Sequence, residues 1–373
     1  MAPSSDNKAT PKLELREVDK RFDRVHAVKR LSLRLAKGEF VSLLGPSGCG
    51  KSTTLSMIAG FERPSSGEIA VDGVAIDHLP AQRRRIGLVF QDYAVFTKLS
   101  VRGNLAFGLE AKGTPRGERR RLVAETATRL GLTEALDRRG DRLNMSEMQR
   151  VALGRVLLTE PELVLLDEPM SNLDAALRAS LRSELKQIQK QLGQTVLYVT
   201  HDQVEAMSMS DRIAVMNAGE LQQFGTPDQI YNHPRNRFVA EFIGDPPINL
   251  LPCEVQVIAG HAIAGTARHG GLRLGRGRVV SGRHWLAIRP HDITANKAPG
   301  AETAPAIVRF VENLGAEHVL HVEYGEDLAR VVVAPDFAGE GETIHLALNA
   351  ARAHLIEGTS GETVPLDLTE AAA

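Results

Sequence analysis

Between an apolar run, Phe40 to Leu44, and a helix-forming run, Thr53 to Ala59, lies Gly45-Pro46-Ser47-Gly48-Cys49-Gly50-Lys51-Ser52. Its glycines allow backbone conformations that side chains forbid, so the chain can leave a strand, curl tightly and enter a helix at once. This unit predicts an α/β fold whose polar loops gather beyond the carboxyl ends of its strands. The alternation of apolar runs and amphipathic helical stretches from Leu13 to about Ile243 agrees. Strand candidates are Phe40–Leu44, Ile86–Phe90, Leu163–Leu166, Val196–Thr200 and Ile213–Met216 in a largely parallel sheet.

Leu177, Leu181, Leu185, Ile188 and Leu192 form a helical stripe that Gly193 is placed to cap. Residues from about 93 to 160 are Arg-rich and helical by pattern, interrupting the strands as an inserted helical subdomain. Thr226-Pro227 predicts the opening of a last helix. After Gly244 the chain passes through Asp245, Pro246 and Pro247 into short strand-like runs, among them Arg278–Val280, Trp285–Ile288, His318–Val322 and Thr343–Leu348. The expected organisation is a disordered leader over 1–12, an α/β domain over 13–244 and a small β-domain over 245–373.

At 373 residues the chain is long enough for two cores, and 43% hydrophobic with 24% charged residues fits a globular protein. A formal net charge of −1 gives no field favouring nucleic acid. The basic runs Arg83–Arg85 and Arg119–Arg121 read as solvated helix faces. Cys49 and Cys253 have no metal or redox spacing. No apolar run approaches the roughly 18 residues of a membrane span, so a cytoplasmic chain touching a membrane only through another protein is expected.

The glycine loop fits the pattern G-x-x-x-x-G-K-[ST], whose backbone N–H groups converge on phosphate oxygens. Lys51 would neutralise the β/γ charge and Ser52 would bind Mg²⁺. Leu163 to Leu166 deliver Asp167 towards that Mg²⁺, while Glu168, one residue on, is placed to act as general base on a water. His201 follows the strand Val196–Thr200 and could hold the γ-phosphate or that water.

Together these residues resemble the ATP-binding cassette (ABC) ATPases, from about Leu13 to Gly244. The resemblance implies a P-loop NTPase cassette with an inserted helical subdomain, ATP and Mg²⁺ as ligands, and Gly45 to Thr53 as the phosphate-binding segment. It makes Gln91 the Q-loop residue that senses nucleotide and metal, Ser171-Asn172-Leu173-Asp174 the D-loop, His201 the switch histidine and Phe22 the ring that stacks on adenine. The segments Val89–Phe96, Glu168–Asp174 and Phe242–Asn249 look like those of maltose-type carbohydrate importers. Ile288–Asp292 and Val311–Glu317 resemble their C-terminal regulatory domain, an all-β OB-like module. What this implies is an ATPase at the cytoplasmic face of the inner membrane, energising import of a sugar, a polyol such as glycerol or a related solute. Its partners would be two transmembrane permease subunits, a second ATPase subunit and, indirectly, an extracytoplasmic solute-binding protein.

One motif departs from that family. Its signature, Leu-Ser-Gly-Gly-Gln, should precede Arg150, where this chain reads Leu143-Asn144-Met145-Ser146-Glu147-Met148-Gln149. Asn144 replaces the serine, Met145 and Ser146 the glycines and Glu147 the glutamine; a second register puts Ser146 in the serine role. In the family this signature faces the ATP held by the other subunit's phosphate loop. Met145 adds bulk there, and a free Glu147 carboxylate about 6 Å from a phosphate charge, at an effective dielectric of roughly 20, would repel it by about 3 kcal/mol. The expectation is a heterodimer with a related ATPase carrying an unaltered signature.

Overall fold

The computed structural model describes residues 10–171, 173–266, 271–300 and 302–367. Its contacts divide the chain into two compact units that meet at Pro227 and Asp228.

In the first unit the sheet runs Glu220–Gly225, Arg212–Asn217, Phe40–Leu44, Val196–Thr200, Leu163–Asp167, Ile86–Val89. All neighbours are parallel except the outermost pair, Glu220–Gly225 with Arg212–Asn217. Its central strands read as unbroken apolar runs because both faces are buried. Phe40, Val164, Leu166, Val196 and Tyr198 pack into one core with the helical insertion. Val41, Leu43, Leu163, Leu165, Leu197 and Val199 pack into another on the opposite face.

That second core is closed by a feature the strand–helix alternation did not reveal, an antiparallel sheet ordered Val25–Leu35, Leu13–Phe22, Ser66–Val71, Val74–Ala75. Here the expected disorder through residue 12 is corrected. Lys12 is 5% exposed, its ammonium lies 2.7 Å from Asp72 and 2.6 Å from Glu162, and its N–H donates to Leu35. Residues 1–9 lie outside the described residues.

The helix that follows the glycine loop is Lys51–Ala59, ending on Gly60 in the left-handed region at φ 90°. Arg84, expected on a solvated face, is buried beneath it and donates to the carbonyls of Met57, Ile58, Leu79 and Asp77. A guanidinium at a helix carboxyl end satisfies carbonyls the helix leaves unpaired. The insertion contains helices Val101–Ala111, Arg116–Arg129 and Met145–Leu157. Helix Ala175–Leu192 carries the leucine stripe and ends on left-handed Gly193 as expected.

The second unit holds two short helices, Pro227–Asn232 and Arg237–Phe242, a seven-stranded sheet and a five-stranded sheet, with antiparallel pairing throughout. Among the described residues its larger core is lined by residues such as Leu251, Leu286, Val322, Ile344 and Leu355, and a smaller one by Ala240, Ile248, Ala287 and Ile356. The helix opened at Pro227 is therefore not the last. The unit also begins before the boundary expected at Gly244, because Arg289, 4% exposed, ties both short helices to the strands through the carbonyls of Tyr231, Ala240 and Ile243. Arg278 to Val280 is not a strand; the strand is Leu272–Gly277, and Val280 is exposed.

Arg289→Ala would leave those carbonyls buried without a donor and should cost about 3 kcal/mol. Chemical denaturation followed in the second unit checks this; a midpoint unchanged from wild type would show that water replaces the guanidinium.

Candidate functional site

Parallel register decides which loops meet. Leu44 lies opposite Thr200, and Val199 opposite Asp167, so the segments leaving these strands emerge side by side.

The glycine loop leaves the first. A Cβ on Gly45 would lie 2.3 Å from the carbonyl oxygen of Met216, and one on Gly50, at φ +102°, would lie 2.5 Å from that of Ala27. These two positions therefore exclude any side chain. Gly48 also takes positive φ, while Ser47 and Gly48 are exposed and Pro46 half-buried. Lys51 is buried, and its ammonium donates back across the loop to Gly45 O at 2.8 Å and Pro46 O at 2.9 Å. This arrangement places a cation where phosphate oxygens can exchange for carbonyls. Ser52 and Thr53 lie in the first helical turn, Ser52 exposed and Thr53 half-buried. Cys49 is buried; burial pushes its thiol pKa up and Lys51 only partly opposes this, so the thiol keeps its proton.

The Ser52 hydroxyl donates to Asp167 at 3.4 Å. Burial, then the neighbouring Glu168 charge, raise the Asp167 carboxyl above the usual aspartate range, against the opposing pull of Ser52 and Lys51. A hydroxyl beside a desolvated carboxylate fits a hard cation of the Mg²⁺ type, whose charge would relieve the carboxylate and whose remaining positions go to phosphate and water. Among the described residues no cluster of three or more His, Cys, Asp or Glu forms a cation site of its own.

Glu168 sits at φ +42°, its N–H held by Val199 O at 3.0 Å, and its carboxylate accepts from His201 Nδ1 at 3.0 Å. Glu168 and His201 are thus already joined. Glu205, which the sequence reading passed over, fixes the turn that carries His201. It is 3% exposed and accepts from Tyr198 at 2.6 Å and Thr200 at 2.7 Å. The only signal for it was an acid four residues after His201.

Gln91 is exposed in the turn after the strand Ile86–Val89. Phe22 closes its strand with a partly exposed ring, one side covered by the Lys20 ammonium 4.5 Å from the centroid. Asp174 caps the helix Ala175–Leu192 by accepting from Leu177 N–H at 2.9 Å. Arg178 then links Leu173 O and Asp202, each at 2.9 Å. Asn172 lies outside the described residues.

Residues 28–171 match the ABC transporter family and residues 286–356 the TOBE domain. The trehalose/maltose import ATP-binding protein MalK of Thermococcus litoralis is 43% identical, over 94% of this chain and 99% of its own. The chain belongs to the ABC transporter ATPases. The sn-glycerol-3-phosphate import ATP-binding protein UgpC 2 of Agrobacterium fabrum is 39% identical over 96% of this chain and 95% of its own. Among solved structures, cbiO1 of Clostridium perfringens, part of the ABC transporter complex cbiONQ, superposes with a TM-score of 0.56 at 32% identity, covering 59% of this chain and 90% of its own.

In this ABC ATPase the altered signature opens the helix Met145–Leu157, with Asn144 as its N-cap. Asn144, not Ser146, thus occupies the N-cap, the placement on which the register with Asn144 in the serine role relies. Asn144 accepts from Glu147 N–H at 2.9 Å, while the Glu147 carboxylate accepts from Asn144 N–H at 3.1 Å and from Arg138. A capping box of this kind satisfies two helix-end donors reciprocally. The expected repulsion by a free Glu147 is corrected accordingly, because Arg138 and the cap occupy its charge. Met145 is half-buried against the hydrophobic core instead of projecting fully outward.

Because its carboxyl binds protons more tightly folded than unfolded, Asp167 takes stability away as pH rises from the ordinary aspartate value through its raised one. Asp167→Asn should therefore stabilise the nucleotide-free chain, and by more at neutral than at acidic pH. Denaturation midpoints of both proteins across that interval check the sign; a gain independent of pH would contradict it.

Proposed function

We propose that this ATPase energises solute import through a membrane permease, and that its hydrolytic site is built from Gly45–Thr53, Gln91, Asp167, Glu168 and His201. The observation that carries the reading is the 3.0 Å bond between His201 and Glu168 at the strand ends that also present Lys51, Ser52 and Asp167. Lys51 would turn from the loop carbonyls to the β/γ-phosphates. Ser52, Asp167 and Gln91 would hold Mg²⁺, which supplies charge neutralisation at the phosphates. Glu168 would take the proton of the attacking water, kept in orientation by His201. Phe22 would stack on adenine.

No helix in the described residues is long and apolar enough to cross a membrane. Attachment through two permease subunits at the cytoplasmic face of the membrane therefore belongs to the proposal. Exposed aromatic rings support it. Phe61 stacks on Phe90 at 6.3 Å beside Gln91, and Phe96 meets Phe107 at 4.6 Å, all of them exposed. Aromatic patches of this kind suit a protein partner. The relatives' names favour a sugar or a glycerol phosphate as solute; a polyol as solute and delivery by a binding protein outside the cell are further parts of the proposal.

A finer reading makes the two ATPase positions unequal, this chain pairing with a second related ATPase. Its support is confined to Met145 and Ser146 in place of two glycines, and the Glu147–Arg138 pair weakens it by removing the electrostatic objection to a homodimer. Intact mass of the purified transporter decides: two different ATPase chains are expected, and one alone would rule it out.

Glu168→Gln should keep ATP binding while hydrolysis falls at least about 100-fold, the usual weight of a general base. Binding and phosphate release measured on the assembled transporter check this; hydrolysis within about tenfold of wild type would remove Glu168 from the role.

A further inference from the structure

The helix Met145–Leu157 brings the Glu147 carboxylate to its amino-terminal end, the end that, by the family resemblance on which the functional reading rests, faces the γ-phosphate of the other subunit's ATP. Within that helix end, Glu147 N–H is taken by Asn144 Oδ1 and Met148 N–H by Asn144 O at 2.9 Å. The N–H groups of Met145 and Ser146 have no acceptor among the described residues. They are the backbone donors left for an anion, and the helix dipole favours one there. A negative Glu147 in the same turn opposes it.

Arg138 changes that balance. Its backbone is fixed by Val101 N–H donating to its carbonyl at 2.9 Å and by its own N–H donating to Ala135 O at 2.9 Å. From there its guanidinium reaches Glu147 Oε1, leaving that side chain 15% exposed while Arg138 remains 43% exposed. Of the neighbouring cations, Arg139 pairs with Asp141 at 2.9 Å, Arg150 donates to Ser146 Oγ at 3.2 Å and lies 4.0 Å from Glu184, and exposed Arg142 makes no ion pair among the described residues.

We propose that Arg138 is the positioning residue that makes this altered signature usable. It neutralises Glu147 and pins the carboxylate back on Asn144 N–H, so that the Met145 and Ser146 N–H groups receive the γ-phosphate without a facing negative charge. The proposal rests on the functional reading in one respect only, that this helix end meets ATP held by the other subunit. Arg138 acts through Glu147. Removing it alone frees the charge, whereas removing both members of the pair restores neutrality.

The test is steady-state kinetics of the assembled transporter carrying Arg138→Ala, Arg138→Lys, Glu147→Gln and the Arg138→Ala/Glu147→Gln pair. Arg138→Ala should raise KM for Mg-ATP about tenfold or more, since a free carboxylate near the phosphate opposes binding. ADP lacks the γ-phosphate, so its inhibition constant should stay within about twofold of wild type, a split that general loosening of the helix end would not produce. Arg138→Lys keeps the charge and should fall between wild type and alanine. The double variant should return KM to within about threefold of wild type, and Glu147→Gln alone should lower it. An unchanged KM in Arg138→Ala, equal losses for ATP and ADP, or no rescue by Glu147→Gln would overturn the assignment. The Glu168→Gln transporter, measured alongside, separates the layers. Hydrolysis lost there with no effect at Arg138 defeats this proposal alone, whereas hydrolysis retained there defeats the functional reading beneath it.

Discussion

The parallel pairing of Phe40–Leu44, Val196–Thr200 and Leu163–Asp167 is the constraint on which the chemistry depends. Each strand ends on a different functional segment, and only this register puts those ends side by side. A slip of one residue would turn every side chain of a strand to the opposite core. Both cores resist it. Phe40 and Tyr198 contact each other in one, with ring centroids 5.7 Å apart, while Val41, Leu43, Leu197 and Val199 fill the other.

What the register assembles is poised and costly to the free fold. Glu168 sits at positive φ, where a side-chain-bearing residue is strained, and Asp167 is desolvated beside another acid. Lys51 is buried with carbonyls as its hydrogen-bond partners. On the proposed function, a triphosphate with its cation would answer the buried Lys51 and the desolvated Asp167 together. The signature helix is arranged differently, since there the chain satisfies itself. Asn144, Glu147 and Arg138 complete one another, and the remaining donors are two backbone N–H groups.

Much of this was legible in the sequence because the decisive signals are local. Gly45 and Gly50 mark backbone that no side chain can occupy, and unbroken apolar runs mark strands buried on both faces. Features made by distant residues were not legible. Lys12 looked like part of a polar leader because Asp72 and Glu162, which hold it, are far along the chain. Arg84 looked like one of three solvated arginines, although only it reaches the carbonyls under the helix Lys51–Ala59. Glu147 read as an unbalanced charge for the same reason, since nothing in the order of residues says that Arg138 folds back upon it. The second unit's true start depended on Arg289, whose partners precede it by several strands.

The central claim is that one chain carries a complete hydrolytic half and a signature half kept neutral by its own residues. The structure of the assembled transporter with a non-hydrolysable ATP analogue and Mg²⁺ tests it most directly. The account predicts phosphates on the Gly45–Ser52 loop, the cation between Ser52 and Asp167, and Glu147 still joined to Arg138 opposite a γ-phosphate. Nucleotide bound away from that loop, or Glu147 parted from Arg138 with the γ-phosphate in place, would contradict it.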